Sequence, residues 1–296
     1  MRAHSAGFCW GVERAIDIAR QIAADKSKAE PKPVAQKTYV YTDGPLIHNQ
    51  QMTAVLEAEG IHEIGDYQSK TALEIDDKAK QESVLVVRAH GISPQRREYL
   101  KSLGIPFKDA TCPDVGIIAG KIRMHAKKGS HTVIFGDPKH PEVIGLMGYA
   151  EGRGHVIQTA PDIDALPEME GTICMVSQST MFVHEFQMLS KHLLERFPEA
   201  LVFDTICSAT KERQSDVITL KQKGAQAIVV IGGKHSANTV KLASLSRLQN
   251  IPTFHIETSA ELDFAALEGF ETIGVTAGAS TPKFIIDDVC EKLDCF

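Results

Sequence analysis

A short turn that contains a cysteine occurs twice in this chain, and its repetition divides the sequence into similar lengths. The two copies, and a looser relative near the start, are Asp109-Ala110-Thr111-Cys112-Pro113, Asp204-Thr205-Ile206-Cys207-Ser208 and Ala6-Gly7-Phe8-Cys9-Trp10. Each cysteine opens about one third of the chain. We therefore predict three small units, residues 1–111, 112–206 and 207–296, whose three cysteines form a single site.

The second and third units have the same layout. The interval from Cys112 to Gly129 equals the interval from Cys207 to Gly224, and both are predicted to be helices that end in basic residues and glycine. An apolar strand follows each helix, at 132–135 and 227–231, and leads into a polar turn. This alternation of helix and strand predicts an α/β fold with parallel sheets.

The first unit follows a related plan. Apolar residues at helical spacing predict a helix over 11–24, which the charges and prolines of 26–33 should end. A short strand is predicted at 38–41, and a turn then leads to the head of a second helix at 46–49. The apolar run 83–87 is typical of a buried parallel strand, so His90 should lie at a strand's carboxyl end.

Ligands of parallel α/β sheets bind beyond the carboxyl ends of the strands. Several polar side chains follow predicted strands, and we expect them to converge on one cavity. They are His90, His140, Glu142, Ser179, Thr180, Ser236, Asn238 and Ser280.

The composition limits the classes of partner. A net charge of −6 gives no general attraction to nucleic acid or anionic membranes, so an anionic ligand needs local donors. No apolar run approaches the roughly 20 residues of a membrane span, and the first residues lack a signal core. We expect a cytoplasmic protein, with 43% hydrophobic residues to build its core.

The six cysteines point to metal binding or catalysis more than to disulfides, because the chain is long and has no secretion signal. Cys9, Cys112 and Cys207 could each ligate one iron of a 4Fe-4S cluster, which leaves the fourth iron open. They could equally be buried structural thiols, and the spacing leaves both interpretations open. Cys174, in an apolar strand, and Cys290 and Cys295, in the terminal helix, are predicted to be structural.

Two further groups suggest phosphate binding and proton transfer. His48, His90 and His140 lie in polar turns where an imidazole can donate to a phosphate, although single histidines in turns are usually surface residues. Ser236, Asn238 and Ser280 begin or precede helices, where they suit a phosphate but also serve as ordinary caps. Glu142 is a candidate proton donor, or a first-turn glutamate that the helix dipole favours.

At these positions the sequence resembles the 4-hydroxy-3-methylbut-2-enyl diphosphate reductase family. The matching motifs span nearly the whole chain in order. They are Gly7-Phe8-Cys9 with Gly11-Val12, Ile47-His48-Asn49, Ala89-His90-Gly91, Asp109 to Pro113, His140-Pro141-Glu142-Val143, Gln178-Ser179-Thr180, Ile206-Cys207 with Ala209-Thr210 and Arg213-Gln214, Ser236 with Asn238, and Thr276 to Ser280.

The resemblance implies three α/β domains in a pseudo-threefold arrangement around a 4Fe-4S cluster held by Cys9, Cys112 and Cys207. It implies reductive dehydroxylation of the allylic diphosphate to isopentenyl and dimethylallyl diphosphate, the final step of the methylerythritol phosphate route. Glu142, Ser179 and Thr180 would relay protons, and a ferredoxin or flavodoxin would supply electrons. The diphosphate would be held by His48, His90, His140, Ser236, Asn238 and Ser280.

Three departures from the family pattern stand out. Only eight residues precede Cys9, where the family usually has a strand, which leaves open a native start upstream of Met1. Ser179 replaces a threonine that is common in the family but keeps the hydroxyl. Ala237 replaces a serine found in some members, so one hydrogen bond to the diphosphate is expected to be missing.

Two other functions use parts of the same pattern. A cluster-dependent hydro-lyase would use the open iron only as a Lewis acid and would need no external electrons. A cluster-based sensor would need no phosphate-binding residues around His48, His90 and Ser236.

Overall fold

A computed structural model describes residues 1–29, 39–47, 49–65, 73 and 75–296. Helices and strands alternate along the chain, and the strands form three separate sheets of four, four and three strands. Every strand pairing in the described residues is parallel. The predicted α/β fold with three small parallel sheets is confirmed.

The first sheet has the strand order β2-β1-β3-β4, and its helices lie before or between these strands in the chain. The strands are β1 (Val40–Asp43), β2 (Ile61–Ile64), β3 (Val84–Val87) and β4 (Phe107–Asp109). The helices are α1 (Trp10–Ala29), α2 (Gln50–Ala58), α3 (Asp77–Glu82) and α4 (Pro94–Ser102).

The second sheet has the order β6-β5-β7-β8, so β5 and β7 are central. The strands are β5 (His131–Phe135), β6 (Gly154–Ile157), β7 (Ile173–Ser177) and β8 (Leu201–Val202). The helices are α5 (Pro113–Ala126), α6 (Pro141–Met147), α7 (Ala160–Asp164) and α8 (Val183–Arg196).

The third sheet has the order β10-β9-β11, and the chain's first residues extend it, because Arg2 forms a parallel bridge with Val275. The strands are β9 (Ala227–Ile231), β10 (Thr253–Ile256) and β11 (Ile273–Ala277). The helices are α9 (Ser208–Gln222), α10 (Ala237–Leu248), α11 (Phe264–Leu267) and α12 (Lys283–Asp294), with a 3-10 turn at Ser259–Glu261.

Two central strands, β7 and β9, are buried along their whole length. Such burial is typical of parallel strands that are covered by helices on both faces. Around the second sheet, residues such as Phe135, Met175 and Ile134 form two apolar clusters, one on each face. Burial of these side chains from water is the main favourable term that holds the sheet and its helices together.

Turn residues fix where the helices begin and end. Proline is the first residue of α4, α5 and α6, where its missing N–H costs no hydrogen bond. Gly129 and Gly224 follow α5 and α9 with φ of 84° and 91°, the left-handed conformation that glycine adopts most easily. Both glycines lie where the repeated interval from cysteine to glycine predicts the end of a helix.

Several predicted boundaries differ from the observed ones. Helix α1 continues to Ala29, beyond the predicted end, because Lys26 and Lys28 in its last turn favour the negative end of the helix dipole. Strand β1 begins at Val40, and residue 38 of the predicted strand lies outside the described residues. Helix α2 begins at Gln50, where Asn49 Oδ1 accepts from Met52 N. Cys295 lies just beyond α12.

The contacts between residues divide the chain into two compact units. The single-sheet unit comprises Met1–Glu13, Ile47–Met52 and Cys207–Phe296, with the third sheet. The two-sheet unit comprises Arg14–Leu46 and Thr53–Ile206, with the first and second sheets. The strands of each sheet lie within one of the three segments that the sequence predicts, but Arg2 of the first segment also bridges to the third sheet. The division into three domains stays a prediction.

Among the described residues, the helices are too short or too polar to include a candidate membrane span.

Candidate active site

The three cysteines of the predicted site each stand immediately before a helix. Cys112 and Cys207 are the N-cap residues of α5 and α9, and Cys9 directly precedes α1. Their carbonyl oxygens accept from the backbone N–H four residues later, at 2.9 to 3.1 Å. The unpaired N–H groups at a helix start favour an anionic group bound there.

An aspartate shapes the turn before Cys112. Asp109 Oδ1 accepts from Thr111 N at 2.9 Å and from Thr111 Oγ1 at 2.6 Å, and Arg97 forms an ion pair with the same carboxylate. Burial opposes ionisation of Asp109, but these donors together hold its pKa below the ordinary value. The ionised carboxylate thereby fixes the backbone that leads into Cys112.

The turn before Cys207 repeats this device and adds a second one. Asp204 Oδ1 accepts from Ile206 N at 3.2 Å. Thr205 Oγ1 accepts from Ser177 N at 2.8 Å and donates to Ser177 O at 2.7 Å. Since β8 contains only two residues, the threonine hydroxyl continues the ladder at the carboxyl end of β7.

Glu142 and Ser179 meet between the ends of neighbouring strands β5 and β7. Glu142 lies in the first turn of α6 and is 1% exposed. Its Oε1 accepts from Ser179 N and its Oε2 from Ser179 Oγ, both at 2.6 Å. A buried carboxylate with two close donors, one of them a hydroxyl, can hold a proton and exchange it along a short path.

His140 is tied to the same group. It is the N-cap of α6, and its Nδ1 accepts from Glu142 N at 3.2 Å. The neutral imidazole must then carry its proton on Nε2, an assignment made from this hydrogen bond. The ring of His90 meets that of His140 edge to face, with centroids 5.4 Å apart. The structure thus brings together His90, His140, Glu142 and Ser179.

Thr180 has a different partner from its neighbour Ser179. Its Oγ1 accepts from Gln178 Nε2 at 2.8 Å, while Gln178 Oε1 accepts from Asp137 N at 3.0 Å. Gln178 therefore connects the turn after β7 with the turn after β5. Thr180 is held next to the Glu142 group without a direct hydrogen bond to that carboxylate.

A cavity of about 400 Å³ in the two-sheet unit reaches both a predicted cysteine and a predicted histidine. Its wall includes Cys112 and His90 together with three arginines, Arg14, Arg97 and Arg123. The cavity links the turn at Cys112 to the neighbourhood of His140 through the ring of His90.

In the single-sheet unit, the remaining predicted residues lie at the carboxyl ends of β9 and β11. Ser236, Asn238 and Ser280 are 5%, 8% and 9% exposed. Asn238 Oδ1 accepts from Ala279 N at 3.2 Å, so its side-chain NH₂ is the group available as a donor. Asn238 thereby lies beside the segment that contains Ser280, and Ala237 begins α10 next to it.

His48 lies outside the described residues, so the structure does not bear on its predicted role.

The other cysteines differ from the predicted three. Cys174 is fully buried in β7, where desolvation raises the pKa of its thiol to about 11. Burial also raises the pKa of Cys290 in α12, and Cys295 is exposed. None of the six cysteines forms a disulfide.

Sequence reasoning missed one residue of this region, Arg213. It appears in the motif after Cys207 without a role, because a basic residue in a helix usually indicates a surface position. In the structure it is 2% exposed, and Cys9 and Cys207 are among the groups whose charge acts on it. Burial lowers the pKa of Arg213, and the two cysteines act in the opposite direction.

The donor chemistry of the three cysteines fits an iron-sulfur cluster. Cysteine sulfurs are the usual ligands of such clusters, and each of the three cysteines lies at a helix start, which favours a bound anionic group. The buried guanidinium of Arg213, whose Nε lacks a hydrogen-bond partner, suits an anionic group beside Cys9 and Cys207. Within the part of the chain that the structure describes, no group of three His, Cys, Asp or Glu side chains is arranged to hold a metal ion.

Comparison with known proteins gives one consistent result. The family described as LytB protein matches residues 1–294. A 4-hydroxy-3-methylbut-2-enyl diphosphate reductase of Opitutus terrae is 64% identical over 295 residues, which cover 99% of this chain and 98% of that protein.

Two solved structures are similar over almost the whole chain. The E-1-hydroxy-2-methyl-but-2-enyl-4-diphosphate reductase of Plasmodium falciparum has a TM-score of 0.86 at 28% identity, and covers 99% of this chain and 86% of its own. An (E)-4-hydroxy-3-methyl-but-2-enyl diphosphate reductase, the terminal enzyme of the non-mevalonate pathway, has a TM-score of 0.69 at 33% identity, and covers 100% and 99%.

Proposed function

This chain belongs to the LytB family, and from this membership we propose how its residues carry out the family's reaction. The chain is a 4-hydroxy-3-methylbut-2-enyl diphosphate reductase, an enzyme of the non-mevalonate isoprenoid pathway. The family match across residues 1–294 is the observation that carries this function. The substrate is a small allylic diphosphate, and the products are isopentenyl and dimethylallyl diphosphate.

Cys9, Cys112 and Cys207 hold a 4Fe-4S cluster in this proposal. When bound, the cluster supplies Lewis acidity toward the substrate's hydroxyl and two electrons, one at a time. The support from this chain is the position of each cysteine at a helix start, together with the buried Arg213 beside two of them. The electrons come from a ferredoxin or a flavodoxin.

The diphosphate is bound by His48, His90, His140, Ser236, Asn238 and Ser280. His140 supports this role, because its Nδ1 accepts from Glu142 N and its Nε2–H is therefore a donor toward an anion. Asn238 is similar, since its oxygen accepts from Ala279 N and its NH₂ can donate. Local donors of this kind are needed because the whole chain carries a net charge of −6.

Glu142 and Ser179 supply the protons, and Thr180 with Gln178 keeps their turn in place. The overall reaction replaces a C–O bond by a C–H bond, and it consumes two electrons and two protons while releasing water. Glu142 can deliver one proton to the departing hydroxyl through Ser179 Oγ, which lies 2.6 Å from its Oε2. Protonation of the allyl group at either end gives the two products.

Substitution Glu142→Gln tests this assignment. The amide has nearly the same shape but cannot carry the proton, so we expect kcat to fall by about 10²- to 10⁴-fold. The KM should change much less, since Glu142 is not assigned to the diphosphate. The assay is anaerobic turnover with a reduced viologen as electron donor.

Glu168→Gln provides the matched control, because the Glu168 side chain is 97% exposed and lies in the same unit. This variant should turn over at the wild-type rate. A Glu142→Gln enzyme that also retained the wild-type kcat would remove Glu142 from the proton path, while the reductase function itself would stand.

A further inference from the structure

Arg213 is a buried charge at a position where the repeat does not require one. It lies in α9, six residues after Cys207. The residues six positions after Cys9 and Cys112 are Ala15 and Ile118, and both are buried and apolar. In the other two copies, a buried apolar side chain therefore occupies the position that Arg213 occupies in α9. Burial of a charge costs several kcal/mol unless the surroundings compensate it.

The hydrogen bonds of Arg213 join the segments of two cysteines. Its Nη2 donates to Gly7 O at 2.6 Å, and its Nη1 donates to Ala209 O at 2.8 Å. Gly7 lies two residues before Cys9, and Ala209 lies two residues after Cys207. The planar guanidinium has rigid donor directions, so these two bonds limit the movement of one cysteine segment relative to the other.

In the described part of the chain, Arg213 forms no hydrogen bond or ion pair with a carboxylate. Its hydrogen bonds go to backbone carbonyls, and its Nε has no partner. Glu212 and Asp216 act on the guanidinium through their charges only, and Asp216 Oδ2 already accepts from Ser5 N and Ser5 Oγ at 2.8 and 2.6 Å. Cys9 and Cys207 act on the guanidinium more strongly than either carboxylate.

We propose that Arg213 is a positioning residue that clamps the segments of Cys9 and Cys207 and places a fixed positive charge beside the group they bind. The inference rests on the proposed ligand set. Each electron accepted makes that group more negative by one charge, and a nearby cation lowers the free energy of the reduced form. Arg213 therefore raises the reduction potential of the centre and slows the loss of its iron.

Two variants separate the charge from the clamp. Arg213→Met removes both the charge and the two hydrogen bonds but keeps an apolar side chain that fits a buried helix position. Arg213→Lys keeps the charge, but a single ammonium on a flexible chain does not reproduce the fork that reaches both carbonyls. Circular dichroism and urea unfolding establish that each variant is folded before the other measurements.

Arg196→Lys is the matched control. Arg196 also donates to backbone carbonyls, those of Ile163, Asp164 and Leu166, but it belongs to the two-sheet unit. Replacement of Arg196 disturbs an arginine clamp of the same kind in the unit that does not contain Cys9 and Cys207. It should leave both the reduction potential and the rate of iron loss unchanged.

The experiment is an anaerobic spectroelectrochemical titration, with iron and sulfide content determined for each protein. For Arg213→Met we expect the ratio of reduced to oxidised centre at a fixed potential to fall about tenfold, a shift of about 59 mV to more negative potential for a one-electron couple. For Arg213→Lys we expect a potential near the wild-type value, but a several-fold faster loss of iron to a chelator.

The outcomes distinguish this inference from the ligand assignment. If wild-type protein binds iron and sulfide but Arg213→Met has the wild-type potential, the electrostatic role is wrong. If Arg213→Lys loses iron no faster than wild type, the clamp is wrong. Wild-type protein that binds no iron and sulfide after anaerobic reconstitution would overturn the ligand assignment, and this inference with it.

Discussion

The turns that lead into Cys112 and Cys207 share a backbone plan but are stabilised differently. In each turn an aspartate three residues before the cysteine accepts from the N–H two residues later. The Cys112 turn adds an ion pair between Asp109 and Arg97. The Cys207 turn adds the hydroxyl of Thr205, which binds the end of β7.

The two turns differ more after the cysteine. Ile118 packs into the apolar cluster on one face of the second sheet, against which Cys112 also packs. Arg213, at the equivalent position of α9, places a charge near Cys207. The two copies therefore share the position of the cysteine at the start of its helix. The electrostatic surroundings of the two cysteines differ. The backbone of such a unit is thus kept while one buried side chain differs in charge.

The largest expected effect comes from moving the charge to the other copy. Ile118→Arg would bury a guanidinium in the cluster of Val115, Ile122 and Ile134, which are apolar. We expect the free energy of unfolding to fall by about 3–5 kcal/mol, the range seen for uncompensated buried charges. Urea denaturation of the protein under anaerobic conditions measures this change.

Ile118→Met is the control for this prediction, because it conserves volume and adds no charge, and it should cost less than about 1.5 kcal/mol. If Ile118→Arg were as stable as Ile118→Met, the two copies would tolerate a charge equally. The contrast between Ile118 and Arg213 would then carry no meaning.

A smaller effect is expected from the threonine hydroxyls of the two turns. Thr205→Val removes the partner of both Ser177 N and Ser177 O, so we expect a loss of about 2 kcal/mol in the free energy of unfolding. Thr111→Val removes a single bond to Asp109 and should cost about 1 kcal/mol. Equal losses in urea denaturation would show that the ladder at the end of β7 does not depend on Thr205.

The smallest expected effect depends on pH. Because the folded pKa of Asp109 lies below its ordinary value of 3.8, its contribution is present above pH 3.8 and is lost as the pH falls through the folded value. Asp109→Asn should therefore lower stability by about 1 kcal/mol at pH 7, since solvent partly screens this carboxylate. The gap between Asp109→Asn and wild type should close in urea titrations below pH 4.

A gap that stayed constant from pH 7 to pH 3 would mean that the ionised carboxylate of Asp109 contributes nothing. Asp204→Asn is the comparison within the repeat, and it should have the smaller effect at pH 7, because Asp204 is exposed.

Strong local patterns predicted the fold well. Strand β9 was expected at the residues it occupies, because a run of five apolar residues between Gly224 and Gly232 permits little else. The glycines after α5 and α9 were predictable because each follows basic residues at the end of a helical pattern. The end of α1 was not predictable. The lysines in its last turn interrupt the apolar pattern, which suggests an earlier end, yet they also stabilise the C-terminal end of a helix.

The part of the site whose positions follow from the order of the strands was predictable. Glu142 and Ser179 follow β5 and β7, which are neighbours in the sheet, so the predicted meeting at the carboxyl ends is found. The role of Arg213 was not predictable, because only tertiary packing shows that it is buried and which carbonyls it reaches. The ligand set and the diphosphate residues stay predictions.

Cluster analysis of anaerobically reconstituted protein tests the central claim most directly, with wild type compared with Cys112→Ser and the exposed Cys295→Ser. The measurement is Mössbauer spectroscopy together with iron and sulfide content per chain. We predict a 4Fe-4S cluster in wild type and in Cys295→Ser, and a lost or incomplete cluster in Cys112→Ser. Wild-type protein without a cluster, or Cys112→Ser protein with the wild-type spectrum, would contradict the account.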